Sequence, residues 1–147
     1  MSDNPDSLIT AASIMAGFGS IFFAFRLERE LHIADENRKK PIKEREITWI
    51  AFADWMLILA IIVSLVAVVV PLVSPGKLTD ASLDRARAAC AAAAVMIAGY
   101  IPSILAHYNF IRWLDKSRTN PTPLEGLCVF LTLLAALLVY LGHVPWW

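Results

Sequence analysis

Between residues 50 and 73 the chain carries a single charged side chain, Asp54. A helix needs about 20 mostly apolar residues, rising 1.5 Å each, to cross the hydrocarbon core of a bilayer. Three further stretches approach or meet that length. Residues 8–25 hold no charge between Asp6 and Arg26, residues 88–106 hold none, and residues 124–141 hold only Glu125, at their start. Hydrophobic residues make up 58% of the 147 and charged residues 18%, against about 45–50% and about 25% in a soluble domain. Strand-like alternation is missing from the apolar stretches, which removes a β-barrel. A helix satisfies every backbone polar group within its own segment, as lipid demands. The chain therefore reads as all-α: a polytopic membrane protein, one domain over 1–147, built as a four-transmembrane-helix bundle.

Lysine and arginine counts orient it. Residues 26–49 carry Arg26, Arg29, Arg38, Lys39, Lys40, Lys43 and Arg45, and the connection after the third span carries Arg112, Lys116 and Arg118. An even number of crossings separates these two connections, so they share a side, and together they hold ten of the thirteen basic residues. The positive-inside rule places them in the cytoplasm and both termini outside, in a plasma (inner) membrane. Trp49, Trp55 and Trp113 then fall at the inner interface, and Trp146 and Trp147 at the outer one. Few helix breakers interrupt 27–37, Pro41 punctuates the chain, and 42–49 leads into the second span. These features predict a cytoplasmic helical hairpin over 26–49. Pro102 predicts a kink or early end in the third span. Asp3 and Asp6 precede the first span without any Lys or Arg, so that span lacks the basic region of a secretory signal and is expected to remain in the protein.

Several function classes fall on chemistry. The net charge of zero offers no basic excess for nucleic acid. Cys90 and Cys128 occupy opposite leaflets and form no metal or redox motif. His32, His107 and His143 are not paired at one depth, as a membrane haem would need. There is no metal-ligand spacing, phosphate loop or Ser/His/acid set. The expectation is a non-enzyme without cofactor or metal, whose partners are membrane lipid and either further copies of itself or other membrane subunits.

Two groups of residues stand out. The first is an intramembrane polar cluster. Asp54 lies about 7–8 Å past Trp49, where a charge near the hydrocarbon is costly. Its expected partners on the same side are Arg26, His107 and Arg112. The cluster reads either as a proton or ion relay or as a structural pairing that docks the first three spans. The second is a seam on the first span. Asp6, Thr10, Ser13, Gly17, Ser20 and Ala24 follow at spacings of 4, 3, 4, 3 and 4, and Leu27 and Leu31 continue the stripe. The opposite face holds Ile14, Phe18, Ile21, Phe22 and Phe25. A second small-residue row is Ala12, Ala16, Ser20 and Ala24. Small residues permit close helix contact. Gathered around an axis, the same seam would line a pore with an acidic mouth at Asp6 and an apolar constriction at Leu27 and Leu31. Two functions follow: a homo-oligomeric cation channel lined by the first helix, or a non-catalytic accessory or assembly subunit of a larger membrane complex.

Overall fold

A computed structural model describes residues 5–42, 51–74, 79–108 and 122–143. Helix α1 spans Pro5–Lys39, α2 Phe52–Val73, α3 Asp80–His107 and α4 Pro123–His143, and each is long and apolar enough to cross a membrane. Among the described residues there is no strand. The protein is a four-helix membrane bundle.

Two helix starts are set by caps. The hydroxyl of Thr79 accepts the Ser82 N–H at 3.2 Å, and the Ser82 hydroxyl oxygen accepts the Thr79 N–H at 3.0 Å. This reciprocal box satisfies orphan donors of the first turn and starts α3 eight residues before the expected 88. The charge-free criterion missed these first two turns because Asp80, Asp84, Arg85 and Arg87 lie in them. Thr122 caps α4 in the same manner, accepting the Glu125 N–H at 3.1 Å.

Helix α2 changes pitch. Residues Val63–Val69 are π-helical, and the Val70 N–H bonds Leu65 C=O, five residues back. The wide segment ends next to Pro71, which has no N–H for the Ala67 carbonyl and whose ring crowds it; widening the preceding turns relieves both problems. In α3, Pro102 does not end the helix, which runs on to His107. Of the two outcomes expected at Pro102, a kink or an early end, the early end does not occur.

The α2–α3 pair forms the centre, and both α1 and α4 pack on it. Alanine explains the closeness. Ala86, Ala89, Ala93, Met96, Tyr100 and Ser103 recur every three or four residues on the buried face of α3, and small side chains let helix backbones approach. Gly99 sits against Thr132 of α4, in space that the side chain of Thr132 already fills. On the other seam, a Cβ at Gly19 would lie 2.8 Å from Ile61 Cγ1 of α2.

Helix α1 buries a narrow stripe: Ala12, Ala16, Gly19 and Arg26, with Phe23 partly buried. Alternating steps of four and three residues keep this stripe on one face. The Ala12–Ala16–Ser20–Ala24 row instead advances about 40° per step at 100° per residue. Its first two members are buried and its last two exposed. Helix α1 continues past the apolar stretch as one unbroken helix to Lys39, as the lack of helix breakers over 27–37 allows. The second arm of the expected hairpin falls on 43–49, outside the described residues.

Candidate functional site

The polar side chains converge at the end of the bundle where α1 carries Arg26. Its guanidinium grips Asp54 at two points. Nη2 donates to Oδ2 at 3.1 Å, and Nε lies 3.3 Å from both carboxylate oxygens. Asp54 is the third residue of α2, and its Oδ2 also accepts the Ala51 N–H at 3.3 Å. From α3, the Tyr100 hydroxyl donates to Oδ1 at 3.2 Å. Arg26 is 8% exposed and Asp54 2%. The carboxylate thus receives donors from α1, from the start of its own helix and from α3. Arg26 also reaches Glu30, one turn along, at 3.2 Å. Arg26 and Arg29 both donate to the Tyr108 hydroxyl just past α3. The guanidinium of Arg29 lies over the Tyr108 ring, 4.3 Å from its centroid.

A second carboxylate works beside the first. Thr122–Pro123–Leu124–Glu125 has the T-x-x-E pattern of a capping box, with proline at the first helical position. The Glu125 side chain is fully buried and bonds across helices. Oε1 accepts the Ala53 N–H at 3.3 Å, and Oε2 meets His107 Nδ1 at 2.8 Å. The Thr122 hydroxyl, while capping α4, donates to the Ala106 carbonyl at 3.1 Å and so satisfies a last-turn acceptor of α3. Ala53 N–H is an orphan donor of the first turn of α2. The two carboxylates lie at the positive end of that helix dipole.

The structure thus joins Asp54 to Arg26, whereas His107, expected with them, bonds Glu125. The reason is axial distance. Tyr100 is level with Asp54, and His107 lies seven residues farther along α3, about 10 Å at helical rise, where α4 begins. Arg112 lies outside the described residues. Sequence reading missed Tyr100, Glu125 and Thr122. The signals were a hydroxyl on the alanine face of α3 and the T-x-x-E box, hidden because Glu125 looked like a boundary residue. Chemically the arrangement is a clamp. Both oxygens of each carboxylate face donors, and the groups that meet come from all four helices. Among the described residues no group of three His, Cys, Asp or Glu could hold a metal, and both cysteines are free thiols.

The seam lies elsewhere. Asp6, Thr10, Ser13, Gly17, Ser20, Ala24, Leu27 and Leu31 are all exposed. At 100° per residue the stripe is centred about 110° around α1 from the buried face. The aromatic face of Phe18, Phe22 and Phe25, also exposed, occupies the remaining third. The Thr10 hydroxyl donates to the Asp6 carbonyl and that of Ser20 to the Ala16 carbonyl, each at 2.8 Å. Their protons are used inside the helix, and their oxygen lone pairs remain outside it. Nothing lies within 4 Å of a Cβ placed on Gly17. Compared with known protein families, curated proteins and solved structures, the chain has no match.

Proposed function

We propose that the protein is a homo-oligomeric cation channel of the plasma membrane. Its α1 helices gather around a shared axis, with both termini outside and residues 26–49 in the cytoplasm. The observation that carries this reading is the outward exposure of the α1 seam. Residues that pack a helix into its own bundle would be buried in it, and these are not. The seam's hydroxyl oxygens are left as acceptors, the polarity a cation requires, and Asp6 adds one carboxylate per copy at the mouth. Leu27 and Leu31, 46% and 61% exposed, would form the apolar constriction, which excludes ions by dewetting.

A second reading, a non-catalytic accessory or assembly subunit, draws support from the length of α1. Its 35 residues extend about 52 Å, well beyond a hydrocarbon core of about 30 Å, and supply an arm for another protein. Two measurements separate the readings. The mass of the detergent-purified protein expressed alone is that of a closed symmetric oligomer for a channel and that of a monomer for an accessory subunit. In planar bilayers, Asp6→Asn lowers cation selectivity and conductance, and Leu27→Ser hydrates the constriction and raises basal current. Silence from correctly assembled wild type and from Leu27→Ser ends the channel reading.

A further inference from the structure

A groove of about 380 Å³ runs between α1 and α3. Its walls are Phe22 and Phe25 on one side and Ile97, Ile101 and Ile104 on the other, and Arg26 and Arg29 lie at one end. The volume is within the range of about 300–1,000 Å³ typical of small-ligand sites. The walled part of α3, residues 97–105, rises about 12 Å, close to the depth of one leaflet, about 15 Å. The groove is apolar along its length and cationic at one end, and that end is where α1 leaves the apolar region. An amphiphile with an anionic head and a hydrocarbon tail complements both parts.

The two arginines are not equivalent. Arg26 is buried and held by Asp54 and Glu30 at 3.1 and 3.2 Å. Arg29 has half its side chain exposed, its nearest carboxylate among the described residues is 3.9 Å away at Glu30, and its guanidinium is steadied on the Tyr108 ring. A guanidinium has five donors in a fixed fork and binds phosphate at two points. Asp54 and Glu30 together balance the charge of the two arginines, so the half-exposed fork of Arg29 has room for one phosphate and no more. We propose that this groove binds one phospholipid, with a monoanionic phosphodiester on Arg29 and one acyl chain between Phe25 and Ile101. Polyanionic headgroups gain little there, because Glu30 and Asp54 already balance the charge of Arg26 and Arg29. This site is independent of whether α1 lines a pore.

The test uses the delipidated full chain in mild detergent, with native mass spectrometry against added phosphatidylglycerol, phosphatidylethanolamine, cardiolipin, diacylglycerol and sodium phosphate. A single adduct is expected with either monoanionic-phosphodiester lipid. Its dissociation constant should rise about tenfold in Arg29→Gln. The adduct should vanish in Ile101→Trp, which fills the groove from a position 62% exposed. Leu138→Trp, equally exposed on α4, should leave binding unchanged. Equal binding of diacylglycerol, displacement by millimolar phosphate, or a cardiolipin preference above tenfold would each overturn the proposal. An adduct indifferent to both groove variants would do the same. So would a wild type that takes no lipid while Ile101→Trp loses thermal stability, since the groove would then belong to another part of the chain.

Discussion

Removing the Asp54 carboxylate should cost more than any single helix contact in the bundle. Asp54→Leu deletes acceptors for Arg26, Tyr100 and the Ala51 N–H. An interhelical hydrogen bond in a membrane protein averages about 0.6 kcal/mol and a cap contact about 0.5–2, which gives about 1–2 kcal/mol for the Tyr100 and Ala51 bonds together. The guanidinium adds to this, because a buried ion pair broken on one side typically loses about 3–5 kcal/mol. Glu30, 3.2 Å from Arg26 and partly solvated, recovers part of that loss, so we expect about 3 kcal/mol in total. The double replacement Arg26→Met with Asp54→Leu removes both charges and should recover most of the deficit, since matched apolar pairs often equal buried ion pairs. Unfolding by titration with a denaturing detergent, followed by circular dichroism, measures all four corners of the cycle. A coupling below about 0.5 kcal/mol would refute the clamp. Unchanged stability together with lost ion flux would favour a relay at Asp54.

Three other outcomes are expected. Glu125→Leu leaves the Ala53 N–H and His107 without their acceptor and should cost about 2–6 kcal/mol, at about 1–3 for each orphaned group. Glu125→Gln retains a carbonyl acceptor and should lose less than half as much in the same titration. Gly99→Val drives a side chain into Thr132 and should destabilise by about 1–3 kcal/mol, with Thr132→Ala restoring part of it in the double variant. In a background of Cys90→Ala and Cys128→Ala, single cysteines at the exposed positions Glu36 and Ala81 should label from the cytoplasm and from outside respectively. The reverse pattern removes the proposed orientation.

Spans were legible because lipid imposes one rule on every residue that faces it, and charge gaps in the sequence record where that rule applies. The rule fades at helix ends, and there sequence reading went astray. Helix α3 begins inside a charged segment because Thr79 and Ser82 satisfy its first amides, whereas the run of α1 past Arg26 was legible in the lack of breakers over 27–37. The Arg26–Asp54 pairing was readable from depth, since Arg26 closes the first apolar stretch and Asp54 lies about one turn inside the second from the same side. The Glu125–His107 pairing was not. It depends on α4 starting beside the end of α3, and spacing within one helix carries no information about where another helix begins. The direction of the α1 seam was open for the same reason. Periodicity shows that Thr10, Ser13, Gly17 and Ser20 share a face, and only tertiary packing tells which way that face turns.

The clamp is also a timetable. Asp54 follows Arg26 by 28 residues and Glu125 follows Ala53 by 72. At about 5–20 residues per second, the ribosome supplies the first partner after about 1–6 s and the second after about 4–14 s. Until then the Arg26 guanidinium has only Glu30 of its own helix, and α2 waits with an open amide at its start. A nascent chain halted in the connection before Thr122 would already hold the Arg26–Asp54–Tyr100 contacts, yet leave Ala53 and His107 open. The fourth helix is therefore the one that closes the bundle.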